Sequence, residues 1–459
     1  MFTFLLSFAL SDPTLPVYPS TYRIKGRWVQ PYQKITQPIE IHTENTTTRK
    51  RQSISYYNGV QRQVQFFNYR TYTTQPSTSG ETSCRYSDFK PTANVTDDMV
   101  HFLPDDPNLW KFDGQFVLLG RNTNRWLQSS VQGVDAWYYH FYSDVETDAP
   151  VRFHMHGRSI FNSHPTDYIL EFDEFGATVD DAAFTVPGSG CVPADSVGPV
   201  RKIPGYKKSK MFKNGLDFCE VMPDIKLDQP LPEQFSWRDH PGILQMPRDQ
   251  AACGSCWAES VANAISGQFS IARGPTQVSI QQIMDCTWGE NSHACLGGDP
   301  EESLKILVNN RTIFVSEEEY PYLGTAGFCQ DTTAAKSDKP IGRITKCLRV
   351  QKHNTEQLKA ALYKYGPLSV TIIADLFDFV KYDGKTVFNT DQCPSDDEAR
   401  LDHCVLLTGW KQINGEWGWE IQNSWSDTWG DNGYGYLSFE NDCGVTLYPF
   451  LPIVEFDTN

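Results

Sequence analysis

The hydrophobic pattern of the first half of the chain is typical of β-strands. Between residues 20 and 191, apolar and aromatic side chains alternate with polar ones in short runs that turn residues separate. Such alternation predicts strands that are buried on one face. The runs 53–57 and 64–67 flank Asn58-Gly59, which predicts a hairpin with a two-residue type I′ turn. With further strands at 137–142 and 168–172, we predict an all-β N-terminal domain over residues 20–191.

The second half combines helical and strand periods. A helix is predicted from Cys256 to about Arg273, because its apolar residues share one face (Trp257, Val261, Ala264 and Ile265). Other predicted helices span 279–286 and 356–365, and predicted strands span 368–372, 403–407, 417–421 and 435–439. Helices that precede strands favour an α+β fold, so we predict an α+β domain in two parts over residues 231–459.

Two segments outside these domains have distinct compositions. Residues 1–11 are apolar and end in Ala9-Leu10-Ser11, which predicts a secretory signal peptide, although the usual basic residues are missing; a buried strand is the alternative. Residues 192–230 are rich in proline and include the basic patch 207–210, which predicts an exposed linker, either a plain solvated loop or a processing segment. No apolar run reaches the length of about eighteen residues that a membrane span needs, so none is expected.

Length and charge limit the architecture and the partners. The 459 residues exceed what one hydrophobic core usually organises, so more than one domain is expected. The net charge of −16 argues against a nucleic-acid partner and fits an acidic or extracellular compartment.

The cysteine content favours the secretory pathway. Nine of the twelve cysteines lie after residue 250, which is too dense for a reduced cytosolic domain unless they bind metal. A zinc site usually needs two Cys or His pairs at short spacing, and only Cys253 and Cys256 are so spaced. We therefore predict disulfides, no metal and no cofactor, in a lysosomal or extracellular protein. Asn45, Asn94 and Asn310 begin glycosylation tripeptides, which adds weak support for that location.

The run Gln250-Ala251-Ala252-Cys253-Gly254-Ser255-Cys256-Trp257-Ala258 carries the strongest chemical signal. A Cys-x-x-Cys pair can be a redox dithiol, part of a zinc site, or a nucleophile beside a structural cysteine. The redox alternative expects a βαβ context, whereas the strands here come later in the chain. Cys256 opens a predicted helix, and a helix N-terminus favours a thiolate. We therefore predict that Cys256 is a nucleophile.

Downstream residues supply the groups that a cysteine nucleophile needs. His403 opens an apolar strand that would hold an imidazole base rigidly. Asn423 follows another predicted strand and can hydrogen-bond that imidazole, while Trp425 can shield the bond from water. Gln250 is placed to donate its side-chain amide to an oxyanion, together with the backbone N–H of Cys256.

In this order, these residues resemble the papain-like cysteine peptidases, and the likeness extends over residues 231–459. The motifs that carry it are Cys253-Gly254-Ser255-Cys256-Trp257-Ala258, Asp285-Cys286, Cys295-Leu296-Gly297-Gly298, Tyr320-Pro321-Tyr322, Gly366-Pro367, Asp402-His403, Gly409-Trp410, Asn423-Ser424-Trp425 and Trp429-Gly430. The resemblance implies a helical lobe and a β-barrel lobe with the active-site cleft between them. It implies that Cys256 is the nucleophile and His403 the base. Asn423 would orient the histidine, and Gln250 would bind the oxyanion.

The same resemblance implies disulfides and substrate contacts. The pairs that follow the family pattern are Cys253–Cys295, Cys286–Cys329 and Cys393–Cys443, and Cys84 with Cys191 is a natural pair in the first domain. The implied substrate-binding residues are Gly297, Gly298, Asp402, Trp425 and Tyr448. A tyrosine at 448 would make the S2 pocket shallow, unless the alignment is shifted by one residue.

Two residues near the implied active site depart from the family pattern. Glu259 stands where the family usually has phenylalanine, and a buried carboxylate is costly unless it is paired. Cys404 follows the implied catalytic histidine where the family usually has glycine or alanine. Alternation along a strand predicts that Cys404 is a buried free thiol that points away from the cleft. The states of Cys219 and Cys347 stay open.

The first domain is similar to the large N-terminal domain of the insect 26/29 kDa protease group. The similar stretches are Tyr22-Arg23-Ile24-Lys25-Gly26, Ser55-Tyr56-Tyr57-Asn58-Gly59 and residues 161–168. Members of that group generally carry a helical inhibitory propeptide before the catalytic domain, whereas here only about forty mostly irregular residues separate the two domains. Autoinhibition would therefore depend on the N-terminal domain or on the linker.

We predict a cysteine endopeptidase that is made as a precursor and acts on protein or peptide substrates, with no nucleic-acid partner. The alternative is a binding protein that keeps a papain-like shell but has little activity.

Overall fold

The structure, a computed structural model, describes residues 12–67, 69–77, 80–89, 100–132, 135–159, 162–187, 190–194, 218–251, 253–330 and 340–456. We call residues 12–194 the β region and residues 218–456 the α+β region. The predicted signal peptide, the acceptor Asn94 and the basic patch 207–210 lie outside the described residues. None of the helices in the described ranges is long and apolar enough to cross a membrane.

A sheet of twelve strands makes up most of the β region. Its strands are β1 (Thr21–Gln30), β2 (Ile35–Asn45), β3 (Lys50–Tyr56), β4 (Gln61–Phe66), β5 (Arg70–Pro76), β6 (Thr82–Asp88), β7 (Lys111–Leu118), β8 (Arg121–Gln132), β9 (Asp135–Asp144), β10 (Pro150–Ser159), β11 (Asn162–Gly176) and β12 (Val192–Pro193). Their order is β12-β6-β5-β4-β3-β2-β1-β11-β10-β9-β8-β7. Neighbours are antiparallel except β12, which pairs in parallel with β6. The predicted all-β fold of this region is confirmed.

The core of this sheet consists of alternate residues from several strands. Ile24 and Ile41 lie opposite each other in β1 and β2 and are fully buried. Trp126, Phe141 and Leu170, from β8, β9 and β11, belong to the same apolar cluster. The alternation of buried and more exposed positions is that of a sheet with one face on the core.

The predicted hairpin of β3 and β4 is present, but its turn is longer than expected. Tyr56 pairs with Gln61, which leaves four residues in the loop instead of two. Tyr57, Asn58 and Gly59 all have positive φ angles, of 48°, 56° and 95°. The wider turn lets the Tyr57 side chain reach the α+β region, a contact that the local pattern does not encode.

Five α-helices and eight strands are described in the α+β region. The helices are α1 (Cys256–Arg273), α2 (Ile280–Cys286), α3 (Pro300–Asn309), α4 (Thr355–Tyr365) and α5 (Phe377–Val380). The strands are β13 (Glu220–Val221), β14 (Phe235–Ser236), β15 (Arg343–Arg349), β16 (Leu368–Ile372), β17 (His403–Ile413), β18 (Glu416–Gln422), β19 (Tyr434–Ser438) and β20 (Phe450–Glu455). The sheet order is β13-β15-β20-β16-β17-β18-β19, and β14 pairs with β17. The predicted α+β class is confirmed.

Helix α1 is central to the α+β region. The residues of its predicted apolar face, from Trp257 to Ile265, are fully buried. The helix packs against β16, β17 and β20 and also against α2 and α3. Because Cys256 is the first residue of α1, this packing fixes the position of the predicted nucleophile.

Ten of the twelve cysteines form disulfides. The pairs are Cys84–Cys191, Cys219–Cys347, Cys253–Cys295, Cys286–Cys329 and Cys393–Cys443. The four pairs expected from the sequence are all present, and Cys219–Cys347 is the pairing that the sequence left open. Cys256 and Cys404 are the two cysteines outside disulfides, and both are buried.

The end of the predicted linker is bound to the α+β region. We call residues 218–222 the strap. A disulfide joins Cys219 of the strap to Cys347 in β15, and β13 pairs in parallel with that strand. The Cys219 N–H donates to Glu301 Oε1 at 2.9 Å, and Gln357 Nε2 donates to the Met222 carbonyl at 3.0 Å. The linker is therefore held against β15, α3 and α4 from Phe218 onwards, rather than exposed throughout as the sequence suggests.

The β region contacts the α+β region through polar side chains of its turns and strands. Gln37 Nε2 and the Tyr57 hydroxyl both donate to the Leu323 carbonyl, at 2.8 and 3.1 Å. Gln75 Nε2 donates to the His293 carbonyl at 3.4 Å. These contacts place the β region beside the loop between α2 and α3, which contains His293, and the loop between α3 and β15, which contains Leu323.

Candidate active site

His403 and Asn423 lie at the ends of two neighbouring strands. His403 is the first residue of β17, and Asn423 follows directly after β18, which pairs with β17. The distance from His403 Nε2 to Asn423 Oδ1 is 2.7 Å, and the two residues are 3% and 2% exposed. The Asn423 backbone N–H donates to the Gly433 carbonyl at 2.9 Å, which holds the amide in place. With Nε2 bound in this way, Nδ1 is the nitrogen that can exchange a proton with another group.

Trp425 covers the histidine, as the sequence predicts. Its indole ring stacks on the His403 imidazole with centroids 4.8 Å apart and planes inclined by 28°. The indole itself packs against Phe379 and Trp429, so its position is fixed by the core. The hydrogen bond between His403 and Asn423 is therefore sheltered from water, which strengthens it.

The loop before α1 is held so that Cys256 lies at the helix N-terminus. The Cys253–Cys295 disulfide anchors the loop, and the Gly254 N–H donates to the Cys295 carbonyl at 2.8 Å. A Cβ at position 254 would lie 2.7 Å from that same oxygen, which explains the glycine. The N–H groups of the first turn of α1 lack partners within the helix, and their partial positive charge favours a thiolate at Cys256.

The strand that begins with His403 also contacts Cys256. The thiol of Cys404, the next residue, interacts with Cys256, which raises the pKa of the Cys404 thiol after burial does so. The Asp402 carboxyl interacts electrostatically with both His403 and Cys256. Cys404 is buried and outside any disulfide, as predicted, but the predicted direction of its side chain is wrong. It faces the start of α1 because β17 packs against that helix.

Gln250 is fixed by hydrogen bonds on both sides of its amide. Its Oε1 accepts from the Ser424 hydroxyl at 2.7 Å, and its Nε2 donates to the Cys253 carbonyl at 2.9 Å. Its backbone N–H also donates to the Ser424 carbonyl at 3.0 Å. The side chain is fully buried, and one N–H of its amide stays available for a further acceptor.

Comparison with known proteins identifies the family of the α+β region. The model of the papain family of cysteine proteases matches residues 231–453. Zingipain-2 from Zingiber officinale is 33% identical over 229 residues, which are 49% of this chain and 97% of that protein. The chain belongs to the papain family of cysteine proteases. The match lies in the α+β region, so the resemblance of the β region to the insect protease group stays a prediction.

Other papain-family relatives are longer than the matched segment. Pro-cathepsin H from Mus musculus is 28% identical over 226 residues, which are 49% of this chain and 66% of that protein. Cathepsin L from Sarcophaga peregrina is 32% identical over 228 residues, which are 49% of this chain and 64% of that protein. The chain therefore spans about two thirds or less of these two relatives. Among solved structures, the bromelain protease from Ananas comosus in complex with the E64 inhibitor is 28% identical, with a TM-score of 0.43 over 49% of this chain and all of that one.

The residues expected to bind substrate occupy varied environments in this papain-family structure. Gly297 has a φ of 106°, and a Cβ on Gly298 would lie 2.3 Å from the Trp257 indole, so both positions require glycine. Asp402 accepts from the Ala374 N–H at 2.8 Å, and burial raises the pKa of its carboxyl to about 7.

Tyr448 is 6% exposed and lies two residues before β20. Its hydroxyl donates to Glu398 Oε2 at 2.6 Å and accepts from Lys352 Nζ at 2.9 Å. These bonds fix the position of the ring. Its role in setting the depth of a substrate pocket stays a prediction.

Glu259 is the departure from the family pattern that the structure explains best. It is 2% exposed, and burial raises its pKa to about 8, although the nearby Arg248 guanidinium opposes the shift. The Ser255 hydroxyl donates to Glu259 Oε1 at 3.3 Å and lies 2.7 Å from the Tyr322 hydroxyl. Tyr322 in turn donates to the Gln250 carbonyl at 3.2 Å.

This chain of hydrogen bonds links Glu259 to the residues that flank Cys256 and Gln250. Sequence reasoning quoted Ser255 and Tyr322 only as parts of motifs and gave neither a role. A buried acid one helical turn after the predicted nucleophile was the available signal, because such an acid must find partners.

Proposed function

We propose that this papain-family protein is a cysteine endopeptidase in which Cys256 attacks the scissile carbonyl carbon. The observation that carries the proposal is the buried 2.7 Å contact of His403 Nε2 with Asn423 Oδ1, beside the start of α1. An imidazole held and sheltered in this way is suited to proton transfer at a thiol.

The steps follow from the positions of these groups. The Cys256 sulfur forms a bond to the carbonyl carbon, and the resulting oxyanion accepts hydrogen bonds from the Gln250 amide and the Cys256 N–H. His403 donates a proton to the leaving amine, which departs and leaves a thioester. His403 then accepts a proton from water as the water attacks the thioester, which releases the acid product and the thiolate.

Replacement of Cys256 tests the nucleophile, and Cys404 offers a matched control. In Cys256→Ala we expect peptide hydrolysis to fall on the order of 10⁵-fold or more, as when another protease loses its nucleophile. Labelling by an epoxide thiol reagent should disappear as well. Cys404→Ser changes the neighbouring buried thiol and should keep both properties. Hydrolysis that persists in Cys256→Ala would refute the proposal and favour a binding protein with a papain-like shell.

We also propose that the β region restricts access to the site. The Tyr32 hydroxyl, in the turn between β1 and β2, donates to the Pro247 carbonyl at 3.0 Å and accepts from the Asp427 N–H at 2.9 Å. These two residues lie three positions before Gln250 and two after Trp425. The turn thus abuts the segments that carry two of the active-site residues, whereas the strap contacts β15, α3 and α4. The β region is therefore the better candidate for autoinhibition.

Substrate size tests this restriction. In Tyr32→Phe the bridging hydroxyl is lost, and hydrolysis of an unfolded protein should rise relative to hydrolysis of a short peptide. Tyr18→Phe is the matched control, because the Tyr18 hydroxyl donates to the Asp148 carbonyl within the β region at 2.8 Å. Equal ratios in the two variants and the unmodified protein would show that Tyr32 does not restrict access.

The disulfides support a location in the secretory pathway, lysosomal or extracellular. Five are present among the described residues, and such bonds persist mainly in oxidising compartments. We further propose that residues 20–191 and 231–459 are separate domains, joined by a segment that is cut on maturation.

A further inference from the structure

Cys256 and Cys404 are two thiols in one buried environment. They are 8% and 1% exposed, and the other ten cysteines are already paired. The cysteine at 404 is thus the one sulfur that could bond to Cys256 without breaking an existing disulfide.

The packing of α1 on the sheet determines where Cys256 lies. Ser260, one helical turn after Cys256, shares a 2.8 Å hydrogen bond with Ser369 of β16. Thr371 lies two residues further along β16 on the same face, and it pairs with Cys404 of β17. Four residues of a helix advance by about 6 Å, and two residues of a strand advance by about 6.5 Å. Moving from Ser260 by one helical turn therefore covers the same distance as moving along β16 from Ser369 to Thr371, the residue that pairs with Cys404.

A second contact gives the direction of that step. A Cβ on Gly267, later in α1, would lie 2.3 Å from Pro367, which precedes β16. Helix α1 and strand β16 therefore run in opposite directions. Cys256, one turn before Ser260, lies over the pair that Thr371 and Cys404 form. The effect of Cys256 on the pKa of the Cys404 thiol agrees with this placement.

The two thiols differ in reactivity. Burial raises the pKa of the Cys404 thiol well above its usual value, and the adjacent Cys256 raises it further. Cys404 therefore stays protonated, while Cys256 lies at a helix N-terminus that favours the thiolate. An oxidant that enters the site reacts first with Cys256, because a thiolate is the more reactive form.

We propose that Cys404 is a resolving cysteine, which forms a reversible disulfide with Cys256 when a peroxide oxidises the active site. This rests on the proposed function, in which Cys256 is the reactive thiol. In the first step a bond forms between the Cys256 sulfur and one peroxide oxygen, the O–O bond breaks, and the other oxygen leaves as water with the proton that His403 accepted from Cys256. In the second step the Cys404 sulfur bonds to the Cys256 sulfur. The S–O bond breaks, and the hydroxyl leaves as water with the Cys404 proton.

The disulfide would block the Cys256 nucleophile, but it would also protect that sulfur from irreversible oxidation. The peroxide accepts two electrons, and the two sulfurs are left as a disulfide that a dithiol can reduce back to two thiols. Without a partner, the sulfenic acid at Cys256 is open to further oxidation to the sulfinic acid, which is irreversible for most proteins. Cys404 would therefore convert a permanent loss of the nucleophile into a reversible one.

The experiment uses the full chain, hydrogen peroxide and two variants. The unmodified protein and Cys404→Ser are oxidised, alkylated with iodoacetamide and digested without reduction, and the peptides are identified by mass spectrometry. In the unmodified protein we expect a linked peptide of Cys256 and Cys404, nearly complete loss of Cys256 alkylation, and its nearly complete return after mild dithiol treatment. In Cys404→Ser we expect no linked peptide, and loss of Cys256 alkylation that dithiol does not reverse. Cys404→Ala replaces the serine variant if the buried hydroxyl prevents folding.

Two results would overturn the proposal. One is Cys256 sulfinic acid without the linked peptide in the oxidised, unmodified protein. The other is equal recovery of alkylation in the unmodified protein and in the variant. Neither readout requires peptide hydrolysis, so a failure of the proposed peptidase activity would be seen separately.

Discussion

Apart from tyrosines, the groups whose pKa values burial shifts most are of opposite kind in the β region and the α+β region. In the α+β region these groups are acids, and burial raises their pKa values, to about 8 for Glu259, about 6 for Asp285, and about 7 for Asp299 and Asp402. In the β region they are bases, and burial lowers the pKa to about 4 for His140 and to about 10 for Arg85. Each region has therefore enclosed groups that prefer to be neutral, but acid acts on the two sets in opposite ways.

Acid stabilises a region when the folded state binds a proton at a higher pH than the unfolded state does, and destabilises it in the opposite case. Between the ordinary value of 4.5 and about 8, Glu259 is protonated in the folded protein and charged in the unfolded one, so the folded state is favoured as the pH falls. Between the ordinary value of 6.5 and about 4, His140 is neutral in the folded protein and charged in the unfolded one, so the folded state loses stability as the pH falls. An acidic compartment should thus strengthen the α+β region and loosen the β region.

His293 is the informative exception. It belongs to the α+β region by sequence, yet burial and then the Arg85 charge lower its pKa to about 4, as for the bases of the β region. Neither ring nitrogen has a hydrogen-bond partner among the described residues. His293 lies where the regions meet, since Gln75 donates to its carbonyl. The contrast therefore extends to the contact itself, where acid brings a second positive charge towards Arg85.

The largest expected effect is a divergence of the two regions on acidification. From pH 7 to pH 5, amide protons in β1, β2 and β9–β11 should exchange faster after correction for intrinsic rates, because acid destabilises this sheet. Those of α1 and β16–β18 should exchange more slowly over the same range. Hydrogen exchange with mass spectrometry measures both in one sample, and a shift of both regions in the same direction would break the comparison.

Glu259→Gln should flatten the pH dependence of the α+β region. Glutamine keeps the shape and the hydrogen bond to Ser255 but cannot ionise, so about one proton fewer is bound on folding between pH 4.5 and pH 8. The slope of unfolding free energy against pH should change by up to about 1.4 kcal/mol per pH unit. Denaturant unfolding across this range measures it. Glu318→Gln, at an exposed position, serves as the control and should leave the slope unchanged.

His140→Phe should reduce the acid sensitivity of the β region by a smaller amount. The phenyl ring can keep the stacking on His156, whose ring centroid is 5.2 Å away, but it cannot take up a proton. His156, His154 and Arg125 all contribute to the low pKa of His140, so their mutual repulsion in acid is relieved as well. Exchange protection of β9 and β10 at pH 5 should rise. The same gain in His101→Phe, at an exposed position, would contradict a specific role for the half-buried His140.

The smallest effect is expected at the contact between the regions. His293→Phe retains a ring against Trp288, 5.3 Å away, but removes the group that acid would charge beside Arg85. Protection of the residues around Leu323 and Gln75 should then depend less on pH between 7 and 5 than in the unmodified protein. An unchanged pH dependence there would show that acid does not act on this contact through His293.

Capping and turn residues in the sequence predicted the helix ends that nearby hydrogen bonds and backbone angles determine. Helix α2 starts after Ser279, whose hydroxyl accepts from the Gln282 N–H as a cap should, and α4 ends before Gly366, which has a φ of 121°. Helix α3 is not among the predicted helices, although Asp299 and Pro300 form a regular helix start, with Asp299 accepting from the Glu301 N–H. An aspartate followed by a proline is a helix-start signal that the sequence contains.

Features that depend on distant residues could not be predicted in the same way. The longer turn at Tyr57 accompanies a contact with Leu323, 266 positions away. The pairing of Cys219 with Cys347 depends on β13 lying beside β15. In the site, motif order indicated Cys256, His403 and Asn423, because their spacing along the chain resembles a known family. The bonds from Glu259 through Ser255 to Tyr322 depend on packing, which the order of motifs does not contain.

The strap has a practical consequence for anyone who prepares the α+β region alone. A recombinant fragment that begins at Leu231, where the family match begins, would lack Cys219 and leave Cys347 as an odd, oxidisable thiol. It would also remove β13 and turn β15 into an open sheet edge, which invites aggregation. A fragment that begins at Phe218 keeps the disulfide and the covered edge, and it should be the more soluble of the two.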